Sequence, residues 1–222
     1  MDVQTLWTIT GLAAVDMVNP CTLAVQVLLL SALVLTKGRR DAIIGGILFT
    51  VTIYIMYLLY GLGVLQLIYT LGIQDLLRAI LKILILVMAV LEIMAFFKYR
   101  PGFISLEMPM SFRPIAQKAL KSVENPWMAV PVAVLCSVLL LPCSSGPYLS
   151  AIILLANTAV EKIFYLLYYN MIFILPMIAI TAIVGFGTKP EAVMEWRKRH
   201  IRELHLIAGI LLLAVFAMLS ME

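Results

Sequence analysis

Six apolar stretches, near residues 6–35, 42–68, 76–97, 127–156, 162–186 and 201–220, leave this chain few ways to fold. Each reaches about the 20 residues that an α-helix needs to cross roughly 30 Å of hydrocarbon. In that medium every amide must find a partner within the protein, which restricts a spanning chain to helices or a closed barrel. No segment alternates apolar and polar residues over the roughly ten positions of a barrel strand. With 64% hydrophobic and 13% charged residues and a mean hydropathy of +1.07, the chain reads as an all-α membrane protein of six transmembrane helices in a lipid bilayer. Met1-Asp2 supplies no basic region for a cleaved signal peptide, so the first span is expected to stay in the mature protein.

The placement of charge says more than its sum of +4. Lys37, Arg39 and Arg40 fall in loop 36–41. Lys98, Arg100, Arg113, Lys118 and Lys121 fall in 98–125, and Lys189, Arg197, Lys198, Arg199 and Arg202 in 187–202. The alternate loops 69–75 and 157–161 have none. Basic residues collect on the cytoplasmic side, so these three loops are expected in the cytoplasm, both termini outside, and the protein in the cell membrane. This pattern accounts for the charge, and no nucleic-acid partner is needed.

An odd number of spans per half turns the second half upside down. Pro20-Cys21 and Pro142-Cys143 recur at an offset of 122, and Gly61-Leu-Gly-Val64 and Gly185-Phe-Gly-Thr188 at an offset of 124, each pair expected at equivalent points of its half. These markers suggest two inverted three-helix repeats, residues 1–97 and 126–222, joined by a cytoplasmic linker, 98–125, of which 112–124 is expected to lie as a short interfacial helix. Asn125-Pro126 is expected to open the fourth span and Asp75 to cap the third.

Spans one and four are each about 30 residues, roughly 45 Å of unbroken helix and more than a bilayer needs. Both are expected to break at their Pro-Cys pair. Proline removes an amide donor and disfavours helical geometry in the residue before it, so Asn19 is expected as cap, Pro20 as first helical residue and Cys21 next. At such a helix start, free amides and the helix dipole favour a thiolate. In the second motif, Ser144 to Pro147, with Gly146 inside it, points to a wider break, the helix restarting at Pro147 and Cys143 lying on non-helical backbone. Two thiols near the midplane of related helices can come within the Cα separation of about 7 Å that a disulfide requires, and Cys21 and Cys143 are expected to form a reversible pair. Cys136, without a proline or a counterpart, is assigned to packing. No CxxC occurs, and neither a metal site nor a bound cofactor is expected.

At these residues the chain resembles the CcdA family of cytochrome c biogenesis proteins and the transmembrane domain of the related DsbD proteins. PCSSGPYLSAI, Pro142 to Ile152, is similar to the family's second motif, whereas Thr22, Leu23 and Ala24 follow Cys21 where many members have a proline. The resemblance covers nearly the whole chain. It implies a thiol–disulfide electron carrier without cofactor, with Cys21 and Cys143 as the redox pair and Pro20 and Pro142 as their helix-breaking neighbours. Its implied partners are cytoplasmic thioredoxin and an extracytoplasmic thioredoxin-like acceptor.

Asp16, five residues before Cys21, is a candidate proton relay or the wet end of a shortened span. Lys82 and Glu92 are expected to snorkel to opposite interfaces, and the tyrosines near 54–60 and 165–169 to serve packing. The main rival reading is a secondary transporter of a small ion or solute, for which inverted repeats with broken helices are equally a plan. A quinone-coupled disulfide-forming enzyme is a third, disfavoured by the lack of a CxxC.

Overall fold

The computed structural model describes residues 3–72, 74–98, 113–156 and 162–220. Among them every regular element is a helix. The order is α1 (Val3–Met17), α2 (Pro20–Thr36), α3 (Arg39–Leu71), α4 (Gln74–Phe97), α5 (Arg113–Lys121), a 3₁₀ turn (Pro126–Met128), α6 (Ala129–Leu155), α7 (Lys162–Gly185) and α8 (Pro190–Ser220). Helices α3, α4, α7 and α8 are each long and apolar enough to cross a membrane. Two bent pairs, α1 with α2 and the 3₁₀ turn plus first part of α6 with the rest of α6, bring the number to six if each is one span. The chain is a multi-pass membrane protein.

The two bent pairs occupy the middle. Helix α1 packs between α7 and α8, α6 against α3, α4 and α1, and α4 lies along α8. The outward faces are apolar: Ile44, Ile47, Val51, Ile55 and Leu59 of α3, spaced three or four residues apart, are all exposed. In water such a stripe would be a liability, whereas lipid is as apolar as the side chains themselves.

Inside, small residues and polar pairs hold the helices together. Gln26 of α2 donates to Thr181 Oγ1 of α7 at 2.7 Å and to the Gly46 carbonyl of α3 at 3.4 Å, joining three helices where a hydrophobic drive between them is absent. Gly61 lies where α3 meets α6 and α7: a Cβ there would press on the Tyr148 hydroxyl and lie 2.8 Å from both Leu166 Cδ atoms. Gly63, two residues on, meets nothing within 4 Å. Gly61→Ala is therefore expected to lower stability by about 1–3 kcal/mol, the range for overpacking, while Gly63→Ala leaves it unchanged or raises it. Thermal unfolding of the two variants in detergent checks the contrast.

Several boundaries differ from expectation. Helix α3 runs to Leu71 before Gly72 closes it in the left-handed region (φ 64°), so Gly61 to Val64 lies inside the helix and Gly185 to Thr188 at the end of one. The glycine echo therefore does not mark equivalent points. Helix α4 begins at Gln74, which puts the expected cap Asp75 inside its first turn. Helix α8 begins at Pro190, not near 201: most of the expected basic loop 187–202 is helical because Val193 and Met194 pack on the core. At 31 residues, or about 46 Å, α8 outruns the bilayer at its basic end. Arg39 Nη2 there donates to the Gly187 carbonyl at 3.3 Å, tying loop 36–41 to loop 187–189. Of the expected linker, 99–112 lies outside the described residues, as does loop 157–161. The rest includes α5, narrower than the expected 112–124, with Ala116 and Leu120 buried and its body packed on α2.

Candidate functional site

The first Pro-Cys break follows from local chemistry. Pro20 has no amide to donate to the Asp16 carbonyl, which instead accepts from Asn19 N at 3.2 Å, and α1 ends. Asn19 takes up extended backbone (φ −58°, ψ 117°), as the residue before proline prefers. Its Oδ1 accepts from the Cys21 amide at 3.0 Å, capping α2. Pro20 and Cys21 are the first two residues of α2, and the span bends by 49°.

The second break is of a different kind. The helical assignment continues from Ala129 through Cys143 and Pro147 to Leu155, yet the axis turns by 84° between Pro126–Leu141 and Gly146–Leu155. The expectation of a non-helical Cys143 is thus corrected, since the helical assignment includes it, while the axis breaks after Leu141 and resumes at Gly146, one residue before the expected restart at Pro147. Two prolines explain the bend, because Pro142 and Pro147 strip the carbonyls of Val138 and Cys143 of their i+4 donors. Gly146, at the bend, lets the Met88 side chain of α4 close in. The loss at Cys143 is made good from outside the helix: its carbonyl accepts from Asn19 Nδ2 at 3.1 Å.

Asn19 therefore clips the two motifs together, one end of its amide on the Cys21 N–H and the other on the Cys143 carbonyl. The consequence is that the thiols of Cys21 and Cys143 meet within hydrogen-bonding reach. Cys143 Sγ also donates to the Leu140 carbonyl at 3.0 Å. Both residues are buried, as is Cys136, one stretch earlier on α6.

Their surroundings are unequal. Cys21 lines a groove of about 350 Å³ between α2, α5 and α8, with Ala116 and Leu120 on one wall and Met194, Arg197 and Lys198 on the other. Arg197 Nε also donates to the Pro20 carbonyl at 2.5 Å. Cys143 instead faces an internal cavity of about 20 Å³ lined also by Asp16, Asn19, Pro20, Glu92 and Pro147, room for about one water.

Asp16 is 1% exposed, so it is not the wet end of a span. Tyr169 donates to its Oδ2 at 3.2 Å, Ser144 and Asn19 lie beside it, and Oδ1 has no hydrogen-bond partner among the described residues. Glu92 is 4% exposed and pairs with His205 Nδ1 at 2.6 Å, which overturns its expected role as an interface anchor; Lys82 remains exposed. Around Asp16 stand Tyr57, Tyr148 and Tyr169, with the Tyr57–Tyr148 and Tyr148–Tyr169 ring centroids 5.4 and 5.3 Å apart, and the Tyr148 hydroxyl donates to the Tyr57 carbonyl. The described residues bring together no group of three or more metal-ligating side chains.

Four site residues escaped the sequence reading. Glu92 and His205 are 113 residues apart and meet only because α4 lies along α8. Their signal was an acid and an imidazole within two apolar spans. Tyr148, directly after Pro147, and Arg197, in the basic stretch, gave no sign of their contacts. The fold and site define a multi-pass membrane protein with a buried dithiol at the junction of two bent spans. No family model, curated protein or solved structure matches the chain.

Proposed function

We propose that this protein is a transmembrane thiol–disulfide electron carrier that moves reducing equivalents from cytoplasmic thioredoxin to a thioredoxin-like protein outside, as in cytochrome c maturation. The observation that carries the reading is the meeting of the Cys21 and Cys143 thiols, each beside a proline in a bent span. The resemblance to the CcdA family, in Pro20-Cys21 and in Pro142 to Ile152, points the same way.

The chemistry is ordinary exchange. A partner thiolate entering the groove attacks Cys21 Sγ of the disulfide, and the sulfur–sulfur bond breaks with its electron pair going to Cys143. The partner's second thiol then attacks the mixed disulfide, so the partner departs oxidised and the two cysteines remain as thiols. Outside, the same steps run in reverse on an acceptor disulfide. Cys21 is the point of attack because it lines the groove whereas Cys143 faces only the small cavity. Asp16 and Glu92 both line that cavity and are carboxyls within it that can take part in proton transfer.

Passage from one side to the other calls for two related conformations. Six spans in two inverted repeats supply them, and the packing supports this plan. Exchanging the halves turns the contact of α3 with α6 into that of α7 with α1, and α1 with α8 into α6 with α4. The contacts of α3 with α7 and of α4 with α8 map onto themselves. The Arg39 link between two basic loops and the basic wall of the groove support a cytoplasmic position for that end, with both termini outside and the chain in the cell membrane.

The test is trapping. In a Cys136→Ala background, Cys143→Ser whose Cys21 is first activated as a thionitrobenzoate disulfide is expected to accumulate a mixed disulfide with a thioredoxin lacking its second cysteine, releasing thionitrobenzoate, while Cys21→Ser activated in the same way at Cys143 accumulates at least tenfold less. Equal trapping by both variants would remove the assigned order of attack, and none by either would remove the reading. A secondary transporter of the same architecture would keep its substrate flux in both variants.

A further inference from the structure

We propose that the buried Glu92–His205 pair exchanges a proton with Cys143 through the water-sized cavity beside it. This rests on the thiol–disulfide reading above. When the disulfide is opened at Cys21, the electron pair arrives on Cys143, which does not line the groove. A thiolate in a low-dielectric interior is costly unless paired or protonated. Cys21, the later leaving group, can take its proton from the groove. Cys143 needs a donor of its own.

Two sources line its cavity. Asp16 has one carboxyl oxygen held by Tyr169. Glu92 lines the same cavity and bonds His205 Nδ1 at 2.6 Å. In its protonated form, carboxylate accepting from imidazolium or acid donating to imidazole, the pair holds one transferable proton between its members, and moving it onto sulfur leaves a carboxylate bonded to a neutral imidazole. A cavity of about 20 Å³ holds the single water needed to bridge the carboxyl to the thiol. The titratable and charged groups facing this spot are Asp16 from α1, Cys21 from α2, Tyr57 from α3, Cys143 and Tyr148 from α6 and Tyr169 from α7, with Arg197 about two turns before His205 on α8.

The balance closes without a further reagent. Two protons leave the partner dithiol and two arrive on Cys21 and Cys143, while two electrons pass from the partner to the disulfide. The pair lends its proton when the Cys21–Cys143 bond breaks and regains one when the partner's second thiol gives up its own. Glu92 and His205 act through a water on Cys143, so they position a proton and touch no partner.

The experiment uses the full chain in lipid nanodiscs, oxidised to the Cys21–Cys143 disulfide and reduced by dithiothreitol, with thiols counted after rapid alkylation across a pH series in light and heavy water. Glu92→Gln is expected to slow reduction by about 100-fold, the low end for general acid–base catalysis, and to flatten the pH profile. Glu92→Asp restores the profile and most of the rate, and His205→Gln behaves like Glu92→Gln. The wild type is expected to show a larger solvent isotope effect than oxidised glutathione reduced in the same buffers, a readout independent of whether any variant folds. A folded Glu92→Gln with wild-type rate and pH profile, or a wild type whose isotope effect only equals that of glutathione, overturns the proton role. A wild-type disulfide that dithiothreitol cannot reduce overturns instead the carrier reading beneath it.

Discussion

Replacing either Cys21 or Cys143 with serine is expected to abolish electron transfer from thioredoxin to an outside acceptor, while Cys136→Ala retains it. A hydroxyl cannot form the sulfur–sulfur bond through which both electrons must pass, so the loss should be complete. Both positions are small and buried, and Cys143 Sγ makes a hydrogen bond to the Leu140 carbonyl that serine can repeat. The variants should therefore fold, and thermal unfolding in detergent separates loss of function from loss of structure. Reconstituted vesicles with thioredoxin inside and a thioredoxin-like acceptor outside give the readout, the redox state of the acceptor. Transfer surviving in either serine variant would end the carrier reading.

The second large effect belongs to Asn19. Asn19→Ala removes the cap of α2, worth about 1 kcal/mol, and leaves the Cys143 carbonyl without the donor that replaces Pro147, about 1–3 kcal/mol more. A total loss of about 2–4 kcal/mol follows, measurable by reversible unfolding in detergent. Asn19→Asp separates the two parts. It can still accept from the Cys21 amide, but it has no N–H for the Cys143 carbonyl, and it sets a second carboxyl close to Asp16. It is expected to keep α2 capped and yet slow closure of the Cys21–Cys143 disulfide by a mild oxidant about tenfold, corresponding to about 1.4 kcal/mol of lost alignment. If both variants close the bond at the wild-type rate, Asn19 is a cap and nothing more.

The two breaks show where local chemistry suffices. At the first, a single proline acts on an extended asparagine and the outcome is legible in Asn19-Pro20-Cys21 alone. At the second, Pro142, Gly146 and Pro147 located the break to within a residue but suggested a non-helical Cys143, which the helical assignment includes. The difference lies in a neighbour that no local pattern names, since the carbonyl stripped by Pro147 is satisfied from another helix. Glu92 was misjudged for a related reason. An acid six residues from Lys98 can reach the interface, and only the packing of α4 along α8 turns it inward to His205.

What the residues by themselves determined is what depends on short range and on the solvent. Helices, membrane class, approximate span limits and the capped start of α2 all follow from hydrocarbon that cannot satisfy an amide and from proline that cannot donate. Only the tertiary structure decided the asparagine clip, the unequal access of the two thiols and the acid–imidazole pair. Each joins groups more than a hundred residues apart, and whether such groups meet is set by how whole helices pack, which no local run of sequence encodes.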